Sequence, residues 1–307
     1  MSPRAPLAAA LFALALPLLA PAAARAKEDF SSALIETIAV AGAVHMLVGR
    51  GGNLAVSTGP DGTFLVDDQF APLSGKILAA VAKLRAGPVR FVVNTHFHGD
   101  HTGGNEALGG AGAVIVAHRG VRERMSAPQF SALRNRTTPA APPGALPIVT
   151  FTADVTFHLN GEDVHVFHVP NAHTDGDAVV HFRGSDVIHT GDVFFHGTYP
   201  FIDVESGGSI DGVLAAQERV LDLASEATRI IPGHGPLATP EALRGARALL
   251  VTARERTLAA IAEGQSLEAF VASAPFADLE ATFGGGFLGS DAFATITWTD
   301  LSRRGTP

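Results

Sequence analysis

The sequence predicts an α/β fold in which β-sheets stack as a sandwich with helices outside, and three observations carry that prediction. Short apolar runs bounded by glycine, proline or Asn-Gly signals recur along the chain. Stretches with helical spacing of apolar residues follow them. The order of strands then helices occurs twice, before about residue 126 and again after 147, as in an internal structural duplication around one sheet sandwich.

The leader comes first. Arg4 precedes an apolar run from Leu7 to Ala20, followed by Ala22-Ala23-Ala24-Arg25-Ala26. This pattern predicts a signal peptide over residues 1–26, cleaved before Lys27 by the small-residue rule at Ala24 and Ala26, and hence a periplasmic or secreted protein. A membrane anchor fits less well, because Pro17 and Pro21 interrupt a run already short of the ~20 apolar residues that span a bilayer. No stable membrane span is expected elsewhere. The remainder, 27–307, is expected to be a single domain with its core at about 40–240 and a helical C-terminal region at 241–307.

From Ile35 to Val66 the pattern is that of an antiparallel meander: 43–48, a glycine turn at 49–52, 53–58, Gly-Pro-Asp-Gly at 59–62, then 63–68. Leu73, Ile77, Leu78, Val81 and Leu84 predict a helix over 72–86, and 89–93 reads as a buried strand. A short helix at 105–108, a strand at 113–117 and a short helix at 119–125 continue the alternation. Residues 126–147 carry Pro128, Pro139, Pro142, Pro143 and Pro147 without periodicity and read as a long surface loop, either a lid or a linker. The second half restarts with 155–159, the hairpin signal Asn160-Gly161 and 164–169. Strands at 178–182, 187–190 and 230–231 and amphipathic helices at 211–223 and 240–263 follow, with a turn at Gly284-Gly285-Gly286 before 287–301.

Composition narrows the function. The chain has 307 residues with 47% hydrophobic and 17% charged, a formal net charge of −8 and no cysteine. An acidic chain without a basic stripe is not built for nucleic acid. Without thiols, any metal site must use nitrogen and oxygen ligands.

Asn94-Thr95-His96-Phe97-His98-Gly99-Asp100-His101-Thr102-Gly103-Gly104 supplies such ligands directly after the strand at 89–93. His96 and His98, two apart in an extended segment, point to one side and call for a third nitrogen donor. Asp100 and His101 cannot easily crowd the same ion, which suggests a second one. His173, Asp192 and His234 each follow a predicted strand, where loops of open α/β sheets converge.

The ordered set His-x-His-x-Asp-His at 96–101, His173, Gly191-Asp192 and Pro232-Gly233-His234-Gly235 resembles the metallo-β-lactamase superfamily of binuclear hydrolases, over about residues 40–240. The resemblance implies an αβ/βα four-layer sandwich. It further implies one metal on His96, His98 and His173, a second on Asp100, His101 and His234, and Asp192 bridging them. Two Zn2+ are the implied cofactors, with iron and manganese open. A metal-bound hydroxide would be the nucleophile, Asp100 a ligand and proton acceptor, and the partner a small-molecule carbonyl substrate: a β-lactam, lactone, ester or thioester. One lactamase subclass has cysteine where Asp192 stands, and the bridging aspartate looks more like glyoxalase II and ribonuclease Z. Predicted export, however, points away from those intracellular substrates. A phosphodiesterase-type hydrolase and a redox or binding role are the alternatives.

Other residues carry weaker readings. His196, Thr198 and Tyr199 are candidate substrate-binding residues, although a plain loop role is as compatible with their positions. Asp67 and Asp68 are candidates to hydrogen-bond a ligating histidine. Asn53 and Gly51-Gly52 read as a tight turn. His118, His158, His165, His168, His181 and His189 read as structural. Oligomeric state is not legible.

Overall fold

The computed structural model describes residues 29–85, 87–131 and 135–304, so the leader and its cleavage point lie outside the described residues. The meander forms as β1 (Glu36–Ala41), β2 (Val44–Val48), β3 (Leu54–Gly59) and β4 (Gly62–Val66), joined edge to edge by antiparallel pairing. Next come β5 (Val89–Asn94) and β6 (Val114–His118), parallel to β4 and to each other. Parallel neighbours need a crossover, which α1 (Ser74–Leu84) supplies before β5. The short helices α2 (Gly99–Thr102) and α3 (Asn105–Gly110) lie between β5 and β6, and α4 (Arg119–Met125) follows β6.

Residues 126–147, expected as a loop, instead contain a small hairpin, β7 (Gln129–Ser131) with β8 (Arg136–Thr138), and a 3-10 turn at Pro143–Ala145. Pro128 and Pro139 flank the hairpin strands and do not interrupt their ladder, and Pro143 opens the 3-10 turn. β9 (Val149–Phe151) then completes a seven-stranded sheet in the order β1-β2-β3-β4-β5-β6-β9.

The second sheet has the order β10-β11-β12-β13-β14. Its strands are β10 (Asp154–Leu159), β11 (Glu162–His168), β12 (Ala178–Phe182), β13 (Val187–His189) and β14 (Arg229–Ile231), antiparallel except for the last pair. The crossover to β14 is α5 (Ile210–Leu223), capped by Ser209, whose Oγ accepts from Gly212 N. The helices α6 (Pro240–Ala262), α7 (Leu267–Ala272), α8 (Glu280–Phe283) and α9 (Ser290–Arg304) build the C-terminal region. Among the described residues no helix is long and apolar enough to cross a membrane.

Side-chain alternation makes the layers. Phe64 and Val66 of β4 face inward against Val164, Val166 and Phe182 of the second sheet, and the rings of Phe64 and Phe182 meet edge to face at 6.0 Å. Leu65, between them, points outward to Ile77 and Val81 of α1. On the far side Phe167 of β11 turns toward Val213 and Val220 of α5 and Leu249 and Leu250 of α6. Each such fully buried large side chain contributes ~1.5–3 kcal/mol relative to exposure. The result is helix, sheet, sheet, helix, the αβ/βα sandwich.

The fourth strand ends at Val66, two residues earlier than its apolar run suggested. Asp67 and Gln69 have φ of +60° and +55° and turn the chain out of the sheet. A left-handed aspartate costs about 1–3 kcal/mol. It is held by the Asp67 N–H, which donates to Val93 O, and by the hydrogen bonds of its carboxylate described below.

Candidate metal centre

His96 follows β5, His173 follows β11, Asp192 follows β13 and His234 follows β14, so the sheet termini deliver all of them to one place. His98 Nδ1 lies 3.1 Å from His96 Nε2 and 2.9 Å from His173 Nε2. Asp192 Oδ2 stands 3.7 and 3.5 Å from those two Nε2 atoms.

Behind each imidazole stands an acceptor that decides its tautomer. His98 Nε2 donates to Asp203 Oδ2 at 3.0 Å, and His173 Nδ1 donates to Phe201 O at 2.8 Å. Thr95 Oγ1 donates to Asp67 Oδ2, so it accepts from His96 Nδ1 at 3.1 Å. Three nitrogen lone pairs are thereby aimed at one point, an arrangement that a cation stabilises and nothing else within the cluster does. Burial, reinforced by the neighbouring charge of His101, holds His96 well below the usual imidazole range. Burial likewise carries His173 down to about 4.

Asp100, His101 and His234 form the second group. Asp100 Oδ2 is 3.8 Å from His101 Nε2 and 3.4 Å from His234 Nε2, and Asp192 Oδ1 is 3.1 and 3.5 Å from the same atoms. The two oxygens of Asp192 thus face one group each. His101 Nδ1 donates to Asp67 Oδ2 at 2.7 Å, which turns Nε2 inward. That Nε2 and Asp192 Oδ1 are both buried and lack a hydrogen-bond partner. Each such orphan costs ~1–3 kcal/mol, and a divalent cation satisfies both at once. The donors suit one: imidazole and carboxylate, with four ligand atoms on each side if Asp192 is shared.

The charges are interlocked. Burial raises the Asp192 carboxyl, but His101, His234 and His96 outweigh it and hold the group well below its ordinary range. Burial pulls His234 down, and Asp192 and Asp100 more than compensate, carrying it up to about 9.

Two glycines are required by close approach. A Cβ on Gly52 would run into the His101 ring, and one on Gly233 into Asp192 Oδ1. Gly51-Gly52 and Asn53 do turn the chain, and Asn53 does more. Its Nδ2 donates to Pro232 O at 2.9 Å and to Gly235 O at 2.8 Å, and its N–H to Gly233 O at 2.7 Å, so it clamps the loop that carries His234. His189 Nε2 in turn donates to Asn53 O at 2.9 Å, the structural role expected of that histidine.

Of the two aspartates expected as hydrogen-bond partners of a candidate ligand, Asp67 accepts from His101 Nδ1. Asp68 instead accepts from Gly104 N at 2.8 Å and shapes the loop after His101. Asp203, Phe201 O and Thr95 were not singled out in the sequence; Thr95 adjoins His96, whereas nothing near His98 or His173 in the chain points to Asp203 or Phe201.

The three substrate-binding candidates separate. His196 lies against the His234 loop, with its N–H donating to His234 O at 2.9 Å and its Nδ1 to Pro236 O at 2.9 Å. Thr198 packs on Gly286. Tyr199 is buried, stacks on Phe293 at 4.9 Å and donates its hydroxyl to Phe276 O at 3.2 Å. It belongs to the core of the C-terminal helices, which corrects its reading as a substrate contact. An amphipathic ring at a loop looks alike in sequence whether a helix covers it or a ligand does.

The family model of the metallo-beta-lactamase superfamily matches residues 40–234. A hydroxyacylglutathione hydrolase of Pelagibacter ubique (strain HTCC1062) is 27% identical over 108 residues, 35% of this chain and 37% of that protein's length, so the match spans little more than a third of the relative. Among solved structures, a metallo-beta-lactamase from Pontibacter korlensis superposes with a TM-score of 0.58 at 20% identity, over 71% of this chain and 99% of the other. The DIM-1 metallo-beta-lactamase gives 0.57 at 21%, over 72% and 98%. At such identities the superpositions speak for the fold, and the family match covers more than half of the sequence, including all seven convergent residues. The chain belongs to the metallo-β-lactamase superfamily.

Proposed function

We propose that this chain is an exported, metal-dependent hydrolase of carbonyl substrates. The observation that carries the reading is the convergence of His96, His98, His173, Asp100, His101 and His234 on the two oxygens of Asp192, with buried lone pairs left unpaired. Bound there, two divalent ions, zinc by preference, supply Lewis acidity and bring the pKa of water toward neutrality.

The chain's own residues do the rest. Asp203, Phe201 O, Thr95 and Asp67 hold the imidazoles in the tautomers that leave their lone pairs inward. Asp192 spans both groups. Asp100, whose side chain is 21% exposed, is raised by burial but held well below the usual carboxylate range by His101 and His234, so it stays ionised and suits a ligand better than a proton acceptor. Phe195 and Phe201 line the buried side with rings against His234, His173 and His98, which keeps bulk water from the inner wall.

Family membership and the likeness to a hydroxyacylglutathione hydrolase support hydrolysis and bring thioesters into consideration; the lactamase neighbours do the same for β-lactams. The leader composition supports export to the periplasm or beyond. The test is elemental analysis of the purified protein followed by chromogenic lactam, lactone, ester, thioester and phosphodiester substrates. We expect close to two bound ions per chain and turnover of at least one carbonyl substrate. Phosphodiester turnover alone, or a protein without bound metal after zinc supplementation, would overturn the reading. Intact-mass analysis of the exported protein tests cleavage before Lys27.

A further inference from the structure

Beyond the family match, which ends at residue 234, the chain adds its own wall to the site. The turn after α8 packs on the segment that leads from Asp192 to Asp203. Tyr199 N donates to Phe283 O at 2.9 Å, and Gly286 lies so close to Thr198 that a Cβ would strike its side chain. Leu288 is buried, yet Phe287 between these anchors is 61% exposed. Its ring meets Phe201 at 6.4 Å, and Phe201 stacks on His98 at 5.9 Å. Phe97 lies on the same imidazole, with ring centroids 4.6 Å apart.

An exposed aromatic side chain between anchored neighbours, with its ring 6.4 Å from that of Phe201, which itself stacks on His98, offers a contact surface for a ligand. The nearby cation does not change its character. The Arg124 guanidinium, 5.5 Å from the Phe97 ring, donates to both oxygens of Asp175 at 2.6 Å and to Gln129 Oε1 at 3.2 Å, so its charge is already matched. A net charge of −8 further disfavours anions.

We propose that Phe287, with Phe201 and Phe97, forms an aromatic subsite on the His98 side of the centre, which receives an apolar aryl or alkyl group of the substrate. The proposal rests on the hydrolase reading above and narrows it to neutral esters, lactones or lactams with an apolar substituent.

The experiment compares calorimetric binding of acetohydroxamate and phenylacetohydroxamate to the zinc-loaded protein, alongside hydrolysis of 4-nitrophenyl acetate and hexanoate. The native chain is expected to prefer the apolar member of each pair by roughly tenfold, about the value of one good aromatic contact. Phe287→Ala should erase most of that preference. Phe130→Ala, removing an exposed ring on the β7–β8 hairpin, should preserve it. Equal binding of the two hydroxamates by the native protein, or a preference that survives Phe287→Ala, would overturn the subsite. A preference that Phe287→Ala erases in a protein that turns over none of the carbonyl substrates would uphold the subsite and overturn the hydrolase reading instead.

Discussion

Around His96, His98 and His173 each imidazole is held from behind by its own acceptor: Thr95, Asp203 and the carbonyl of Phe201. In the second group His101 has such a partner in Asp67, whereas His234 rests face to face on Phe195, with ring centroids 5.0 Å apart. Its loop is held at one remove, by Asn53 from the other half of the chain. Exposure cuts across this division: His98, Asp100 and His234 show 20%, 21% and 28% of their side chains to solvent, whereas His96, His173 and His101 are buried. A site whose ligands are individually braced needs little reorganisation to bind an ion, and one whose ligand rides on a loop needs more. The first group should therefore retain its ion longer.

The largest effect is expected at the residue common to both. Asp192→Ala removes a ligand from each group and leaves facing imidazoles without a counter-charge; metal content should fall toward zero and activity with it. Elemental analysis that still finds two ions in this variant would show that Asp192 does not join the groups.

Next come the braces. Asp203→Asn should weaken the ion of the first group by ~10–100-fold; Asp67→Asn should weaken that of the second group by as much through His101, and that of the first group less, through Thr95 and His96. Graded chelation followed by metal counting checks this, with the Asp67 variant losing its first ion at a lower chelator concentration than the native protein. Simultaneous loss of both ions in the Asp203 variant would break the comparison.

A smaller change should follow Asn53→Ala. It leaves the carbonyls of Pro232 and Gly235 without their donor, at a cost of ~1–3 kcal/mol, and loosens the His234 loop. The lowered Tm should be accompanied by easier loss of one ion but not of the other. If chelation is unchanged, the clamp stabilises the fold without governing the second group.

The smallest effect comes from an imidazole outside both groups. Burial and the parallel ring of His168, 3.8 Å away, push His118 down to about 4. A depressed imidazole means that the unfolded chain, with its ordinary value near 6.5, binds the proton first. The native state is thus favoured fully above about pH 6.5 and loses this contribution as pH falls toward 4. His118→Phe should flatten the pH dependence of Tm within that window and leave metal content unchanged.

How much of this was legible depended on distance along the chain. His96, His98, Asp100 and His101 occupy one loop, and their spacing suffices to suggest two ions. His173, Asp192 and His234 are recognisable because each follows an apolar strand. The braces have no such mark: Asp203 reaches His98 across 105 positions, and Asn53 reaches Gly235 across 182. Asp67 was suspected from its place after a strand, but the φ of +60° that turns its carboxylate toward His101 arises only when β4 pairs with β5. The hairpin within 126–147 leaves no mark in the sequence, because three-residue strands carry too little periodicity.

What the sequence by itself determined is therefore the layer architecture and the chemistry of the ligands. Near-continuous apolar runs must be buried on both faces of a sheet, and a chain without cysteine has only imidazole and carboxylate to offer a metal. Tertiary structure decided which nitrogen of the histidines points inward, that the two oxygens of Asp192 face one group each, and that Tyr199 is spent on the core while Phe287 faces out. These depend on partners that strand pairing and helix docking bring together, and hydrogen bonding and burial act between neighbours in space, wherever they stand in the chain.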